Sequence, residues 1–295
     1  MLRGGAARNG ASAAPAGCAL TRQRAVARRL ATHIDLRWAS LLRKEVPLET
    51  LDFVEPIGKR PSDRSPVPPT NRLFDRLAPR DRARALACCE PVELSFAEVL
   101  GEPGGTIRDI YFPTTSFISL LVHMGGKRKL EVTLVGNEGL YGVPVALGVD
   151  ISPVHALVQG SGFAWRVSAM SFRKELAEIP ALRACVDRYT YVLMAQLVQT
   201  AGCNRYHVVG QRVARWMLMT ADRAHSPTFH VTHEFLAYML GVRRVGVTTA
   251  ASSLQRARLI EYKRGTVTIL NRKALERAAC SCYRADLATY ERAFK

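Results

Sequence analysis

The sequence predicts an α+β protein with three consecutive parts: a jelly-roll-like β-roll, a long helix suited to dimerisation, and a C-terminal winged helix-turn-helix. Three observations support this fold class. Short apolar runs punctuated by glycine fill the middle of the chain, a helical apolar period begins at Pro180, and two short helical patterns meet at Gly241 before a hairpin pattern. Short strands at regular intervals with glycine turns are typical of sandwiches and rolls.

Five runs in the middle of the chain are predicted to be strands, because they are β-branched or aromatic and are bounded by Gly or Pro. They are Ile110–Phe112, Phe117–Val122, Leu130–Val135, Ala156–Val158 and Phe163–Val167. Asn71–Leu86 has helical spacing and is predicted to precede them as a helix. The β-roll is therefore expected within residues 67–178.

The helical period after Pro180 has an apolar seam. Its positions lie at steps of four and three, and they are Leu182, Val186, Tyr189, Leu193, Gln196 and Thr200. This spacing of about 3.5 residues is typical of a contact between two helices. Residues 179–204 are therefore interpreted as a dimerisation helix, and a plain core helix remains the alternative.

The positive charge is unevenly distributed. The chain carries a net charge of +17, and residues 205–295 hold 16 basic and 6 acidic side chains, a net charge of +10, whereas residues 67–204 are nearly neutral. A cationic folded domain attracts a polyanion, and nucleic acid is the usual one. An arginine-rich solvated surface explains the charge equally well.

In the N-terminal segment 1–66, residues 1–31 are rich in Ala, Gly and Arg, residues 32–58 have the spacing of a short helix, and a proline-rich stretch follows at 61–69. Such a segment buries too little apolar surface to offset the entropy of ordering it, so a disordered or weakly structured extension is expected. A tethering arm, an organelle-targeting sequence and a start site assigned too far upstream are equal alternatives.

Several classes of protein are excluded by what the sequence lacks. No apolar run is long enough to span a bilayer, and no signal peptide is recognised. Seven scattered cysteines indicate reduced thiols and a cytoplasmic location. No phosphate-binding loop, nucleophile elbow or His-Glu-x-x-His motif is present, so an enzyme is not expected.

Residues 205–295 contain the most informative pattern, a predicted winged helix-turn-helix. Thr232 is placed to cap a helix, and Gly241 to end it, since glycine enters the left-handed region at low cost. A second helix is predicted from about Arg243. Its inward positions are Val247, Ala250 or Ala251, and Leu254.

The free face of this second helix is predicted to read base edges. Its exposed side chains are Arg243, Arg244, Thr248 and Thr249. Lys263 and Arg264 lie at the tip of the following hairpin, and with Thr232 they are assigned to backbone phosphates. An ordinary helical hairpin followed by a β-hairpin is the alternative to a DNA-binding unit.

The order of these parts and several motifs resemble the Crp/Fnr family of transcription regulators over residues 71–285. The clearest is THEFLAYMLGVRR at Thr232–Arg244. Further motifs are VLGEPG at Val99–Gly104, IYFP at Ile110–Pro113, GLYGVP at Gly139–Pro144 and ACSCY at Ala279–Tyr283. The resemblance implies a sequence-specific homodimer on a roughly palindromic operator. Double-stranded DNA is then the expected partner, with RNA polymerase as a further candidate.

The sequence departs from that family at two places. In the stretch where family members bind cyclic nucleotides, neither an acidic ribose partner nor an arginine fork is found, so cyclic AMP is not expected. The residues assigned to an effector pocket are Gly139, Tyr141, Gly142 and Ser152. On the second helix, Val245 and Thr249 replace the polar and charged residues of the best-known operator code.

No cofactor and no metal are expected. Cys18 stands alone in the N-terminal region, which argues against an iron–sulfur cluster. Cys280 and Cys282, with Cys185 or Cys203, are candidates for zinc ligands and for a redox pair. A Cys-x-Cys without a histidine nearby in the sequence lacks the usual zinc spacing. The alternative function, from a different class, is a ligand-sensing module whose winged helix contacts protein.

Overall fold

Two antiparallel sheets form the β-roll in the computed structural model, which describes residues 70–125 and 129–295. Their strands are β1 (Glu90–Leu94), β2 (Val99–Gly101), β3 (Asp109–Pro113), β4 (Phe117–His123), β5 (Lys129–Val135), β6 (His155–Gly160) and β7 (Gly162–Ser168). One sheet has the order β1-β7-β3 and the other β2-β6-β4-β5. The five strands predicted from the sequence all lie within β3–β7 and are confirmed. The extension expected at residues 1–66 lies outside the described residues.

The core of the roll is closed by aromatic rings from the sheets and from short helices. These helices are α1 (Arg72–Asp75), α2 (Pro79–Ala87), α3 (Val143–Ala146) and α4 (Ala169–Glu178). Phe112 of β3 lies between Phe74 and Phe172, with ring centroids 4.5 Å and 6.0 Å away. All three side chains are almost completely buried, so α1 and α4 are held against the same sheet.

The single helix predicted over Asn71–Leu86 is wrong, because the chain turns between α1 and α2. The turn ends at Pro79, which occupies the first position of α2, where its missing N–H costs nothing. Asn71 caps α1 by accepting from the Leu73 amide at 3.0 Å. Its Nδ2 donates to the carbonyls of Pro113 and Gly139, both at 2.8 Å, so the buried amide anchors the segment to the roll.

The long helix α5 (Pro180–Tyr206) is confirmed, but its predicted seam is not available for a contact between chains. Within this protomer five of the six seam positions are buried, and they are Leu182, Val186, Tyr189, Gln196 and Thr200. Thr133 of β5, for example, donates to Gln196 at 3.0 Å. The helical spacing identified an apolar stripe correctly, but this stripe packs on the protein's own roll and C-terminal helix.

The C-terminal part is a small helical domain with a three-stranded sheet. Its helices are α6 (Val209–Arg223), α7 (His233–Leu240), α8 (Arg244–Arg256), α9 (Arg272–Ala278) and α10 (Cys282–Ala293). Its strands are β8 (Thr228–His230), β9 (Ile260–Lys263) and β10 (Thr266–Ile269), in the order β8-β10-β9. Helices α7 and α8 with the β9–β10 hairpin give the predicted winged helix-turn-helix.

The roll and the C-terminal domain share one apolar cluster. It includes Phe117, Leu121 and Leu134 from the roll together with residues of α6, α7 and α8. Polar contacts cross the same boundary, since Arg223 of α6 forms an ion pair of 2.7 Å with Glu138 just after β5. The two parts are therefore in direct packing contact through β5. Among the residues that the structure describes, no helix combines the length and apolar character needed to cross a membrane.

Candidate nucleic-acid interface

The turn between α7 and α8 is built as the sequence predicts. Thr232 caps α7, because its Oγ1 accepts from the Phe235 amide at 3.1 Å. Gly241 ends the helix at a φ of 63°, in the left-handed region where a side chain would be strained. The next amide, of Val242, donates back to the Ala237 carbonyl at 3.0 Å. This closed turn fixes the direction in which α8 leaves.

Helix α8 presents one buried and one exposed face. The positions predicted to face inward are buried, namely Val247, Leu254 and both of the alternatives Ala250 and Ala251. Arg244, Thr248 and Thr249 lie on the exposed face, as predicted. Arg243 is also exposed but lies outside the helix, as its N-cap residue.

Val245 is an exposed residue of α8 to which the sequence interpretation gave no role. Its side chain is 68% exposed, and in the chain it lies between Arg244 and the exposed Thr248. An exposed apolar group on a helix that reads DNA can contact the methyl group of thymine. The signal was available in the sequence, since Val245 lies two residues before the buried Val247.

The two threonines are held by hydrogen bonds to their own helix. Thr248 Oγ1 donates to the Arg244 carbonyl at 3.1 Å and lies 3.1 Å from His233 Nδ1, and Thr249 Oγ1 donates to the Val245 carbonyl at 3.0 Å. Serine and threonine commonly make such bonds to the carbonyl four residues earlier. Because each hydroxyl proton is engaged, these side chains offer an external partner an acceptor oxygen and a methyl group.

A ring pair connects α7, α8 and the hairpin. The rings of His233 and Tyr262 lie 4.5 Å apart, and the Tyr262 hydroxyl donates to the Val231 carbonyl. Burial and the neighbouring Arg244 charge lower the pKa of His233, and burial raises the pKa of Tyr262 to about 12. At neutral pH both rings are therefore uncharged.

Beside this pair a shallow groove between α8 and the hairpin is lined by Ser252, Gln255 and Arg256.

The hairpin tip displays two cations. Arg264 and Gly265 form the turn between β9 and β10 with φ values of 47° and 81°, the conformation of a type I′ hairpin turn. Lys263 and Arg264 are both exposed. Lys263 lies 2.7 Å from Glu261, an exposed ion pair of the kind that contributes little and can exchange partners. Lys263 and Arg264, two of the three residues predicted to contact phosphates, thus lie on a hairpin beside α8.

The four residues assigned to an effector pocket are only partly brought together. Tyr141 and Ser152 lie in the roll with their hydroxyl oxygens 3.4 Å apart, and both are buried. Gly139 instead lies against the ring of Tyr189 on α5, and Gly142 lies against Ile110. The Tyr141 hydroxyl occupies the space directly over Gly101, where an added Cβ would be only 1.9 Å away. The tyrosine itself therefore fills the interior of the roll at this point.

Three cysteines and a histidine form a cluster at the junction of α5 and α10, and the histidine is the member that the sequence interpretation did not consider. Its members are Cys203, His207, Cys280 and Cys282, with ligand atoms all within 4.8 Å of one another. The expectation of no metal rested on the absence of a histidine near the Cys-x-Cys motif. No histidine lies near that motif in the sequence, but the fold brings His207 to it from more than seventy residues earlier in the chain.

Comparison with known proteins agrees with this geometry. Residues 211–278 match the family model described as a Crp-like helix-turn-helix domain. No curated protein matches the chain in sequence.

Several solved structures share the fold. The FixK2 protein of Bradyrhizobium japonicum is 13% identical, with a TM-score of 0.57, and the match covers 65% of this chain and 98% of that one. A CRP-family transcriptional regulator of Thermus thermophilus is 20% identical, with a TM-score of 0.55, over 64% and 96% of the two chains. The c-di-GMP responsive regulator CLP of Xanthomonas campestris is 14% identical, with a TM-score of 0.54, over 64% and 98%. The predicted fold class and the Crp/Fnr resemblance are confirmed.

Proposed function

We propose that this chain is a DNA-binding transcription regulator of the Crp/Fnr type that acts in the cytoplasm as a homodimer on a roughly two-fold operator, and the match of residues 211–278 to a Crp-like helix-turn-helix domain supports this proposal. In helix-turn-helix dimers the two half-sites lie about one helical turn apart. Helix α8 would enter the major groove, and the β9–β10 hairpin would lie along the flanking backbone.

The observation that supports this proposal best is the combination of side chains on the free face of α8. Arg244 can donate two hydrogen bonds to guanine, the most common specific contact in the major groove. Val245 and Thr249 offer apolar surface suited to a thymine methyl group. Arg243, at the N-cap, and Thr248 complete the base-reading set. The family members with the best-known operator have polar and charged residues where this chain has Val245 and Thr249. This difference supports an operator that differs from theirs.

Phosphate contacts are assigned around this face. Lys263 and Arg264 lie at the hairpin tip, and Thr232 at the start of α7 lies close to the same turn, because the preceding amide, of Val231, donates to the Gly265 carbonyl at 2.7 Å. The net charge of +10 on residues 205–295 supports backbone binding in addition to base reading. Such contacts position a protein on the duplex without reading its sequence.

Dimerisation is assigned to the exposed stripe of α5 and not to the seam expected from the sequence. Tyr191, Met194 and Val198 are 59%, 61% and 74% exposed and lie at steps of three and four, with Leu197 beside them. An apolar stripe of this spacing on a long helix suits a second copy of the same helix. The proposed dimer would place two α8 helices on one face, as a two-fold operator requires.

Selection of bound duplexes from a random pool, with purified full-length protein at two salt concentrations, tests the proposal. The expected result is an inverted repeat with half-sites about one helical turn apart. Arg80→Ala, which removes an exposed arginine of α2, is the matched control and should select the same motif. If binding is weak, selects no motif and is lost at moderate salt, the domain binds DNA only through its positive charge, and the proposal is contradicted. Salt-insensitive association with protein would favour the ligand-sensing module.

A further inference from the structure

The cysteine–histidine cluster joins two parts of the chain that are distant in sequence. Cys203 lies in the last turn of α5 and His207 directly follows that helix, whereas Cys280 precedes α10 and Cys282 begins it. All three cysteines are buried, and His207 is half-buried. The Cys203 and Cys280 sulfur atoms are 3.6 Å apart, and Cys282 Sγ lies 3.4 Å from His207 Nδ1.

From this arrangement we propose that Cys203, His207, Cys280 and Cys282 bind one Zn²⁺ ion in a closed tetrahedral site. Zinc–sulfur bonds of about 2.3 Å and zinc–nitrogen bonds of about 2.0 Å place tetrahedral ligand atoms about 3.6 to 3.8 Å apart. The two distances above are close to these values, and all four ligand atoms lie within 4.8 Å of one another. Three thiolates and an imidazole form one of the usual ligand sets of structural zinc.

The groups around the cluster suit thiolates. Gln199 Nε2 donates to Cys282 Sγ at 3.0 Å, so an N–H group already points at one of the sulfur atoms. Donors that surround metal ligands in this way orient them and adjust their basicity.

The charge balance gives an independent observation. Three thiolates with Zn²⁺ and a neutral imidazole carry a net charge of −1, and Arg212 and Arg215 of α6 are both buried beside the cluster. Arg215 is paired with Asp286 at 2.7 Å. The hydrogen bonds described for Arg212 go to neutral oxygens, those of Asn204 and the Leu240 carbonyl, at 2.7 and 2.6 Å. The negative site would compensate the charge of this buried guanidinium.

The position of the site gives the ion a structural role. It would fasten the start of α10 to the end of α5, where the long helix passes into the winged helix-turn-helix domain. Because Arg212 also donates to Leu240, the last residue of α7, the site is one side chain away from the helix-turn-helix itself. Removal of the ion is therefore expected to loosen both α10 and the connection between α5 and α6.

Metal analysis of the full-length protein, purified without a histidine tag and under reducing conditions, tests the site. We expect one zinc per chain by mass spectrometry in the wild type. The double variant Cys280→Ser, Cys282→Ser should lose it, and Cys185→Ser, which removes a buried cysteine of α5 outside the cluster, should retain it. Background zinc in the wild type, or retention by the double variant, would contradict the proposal.

Cobalt titration of the reduced wild-type apoprotein makes the test independent of how the variants fold. The expected result is a sulfur-to-cobalt charge-transfer band together with the visible absorption of tetrahedral Co²⁺, saturating at one equivalent. Added Zn²⁺ should abolish both. No charge-transfer band after full reduction would overturn the proposal, and recovery of a Cys203–Cys280 disulfide together with no metal uptake would identify a redox pair instead.

Discussion

Trp216 Nε1 donates a hydrogen bond of 2.9 Å to Glu131 Oε1, which joins α6 of the DNA-binding domain to β5 of the β-roll. The other carboxylate oxygen of Glu131 accepts from Ser119 of β4 at 2.8 Å. One carboxylate therefore connects two strands of the roll to the helix that precedes the helix-turn-helix.

Glu131 should make the stability of the protein depend on pH. Burial raises the pKa of its carboxyl to about 7, from an ordinary value of 4.5. The folded state therefore holds the proton more tightly than the unfolded state, and the free energy of unfolding should fall as pH rises from about 4.5 to about 7. The total loss is at most about 3 kcal/mol and is complete above the folded pKa.

Glu131→Gln should remove this dependence, because glutamine cannot ionise and its carbonyl can still accept from Trp216. Urea unfolding at about pH 5.5 and about pH 8 measures the effect, and the variant should gain stability relative to wild type at the higher pH. Glu291→Gln, an exposed position on α10, is the control. An equal pH dependence in Glu131→Gln and wild type would rule out Glu131 as its source.

Gly265→Ala should distort the hairpin and weaken DNA binding on all sequences. The residue has a φ of 81°, and an added Cβ would lie 2.2 Å from the ring of His230. Strained positions of this kind cost about 1–3 kcal/mol. Urea unfolding and fluorescence anisotropy on a labelled duplex measure the two effects.

Gly104→Ala is the matched control for this prediction, since Gly104 has a φ of 80° but nothing within 4 Å of an added Cβ. It shares the backbone strain and lacks the steric clash. Gly265→Ala should therefore lose more stability, and it alone should lose DNA affinity. If Gly265→Ala binds DNA with wild-type affinity, the hairpin is not part of the DNA-binding surface.

Met194→Asp with Val198→Asp should convert the proposed dimer into monomers. Two carboxylates in an apolar helix contact would be desolvated without partners, which strongly disfavours association. Sedimentation velocity over a range of protein concentrations measures the mass. Met170→Asp, at a 78% exposed position on α4, is the control and should remain dimeric. A dimer that persists in the double variant would place the interface elsewhere.

Local signals explain which features the sequence predicts correctly. The cap at Thr232 and the left-handed turn at Gly241 are determined by neighbouring residues, so the helix-turn-helix could be read directly. The seam of α5 was assigned to a contact between chains, and this assignment does not fit its burial. Spacing reveals an apolar stripe but not whether the partner of the stripe lies in the same chain or in another. The stripe containing Tyr189 faces the roll, whereas the one containing Met194 stays exposed.

The part that His207 plays in the cysteine–histidine cluster could not be predicted from the sequence for a related reason. Cys203 and Cys280 are 77 residues apart, and His207 approaches Cys282 only because α10 folds back onto the end of α5. A contact over such a separation has no periodic or local signature. The same holds for Glu131, whose partner Trp216 lies 85 residues away in a different part of the fold.

Lys263→Ala should weaken binding to all duplexes by a similar factor, because a phosphate contact carries no sequence information. The dependence of log affinity on log salt concentration should become shallower by about one unit. Anisotropy titrations at several salt concentrations measure both quantities. A loss confined to one duplex sequence would mean that Lys263 reads a base.

The most direct test of the proposed function compares the base preferences of wild type and Arg244→Ala on one duplex library, with Lys263→Ala as the control. Arg244→Ala should lose about 1–3 kcal/mol on the preferred site and lose its preference at one base pair in each half-site, at positions related by two-fold symmetry. Lys263→Ala should keep the full preference. Unchanged base preference in Arg244→Ala, or loss at a single position without a symmetry mate, would contradict a dimer that reads DNA through α8.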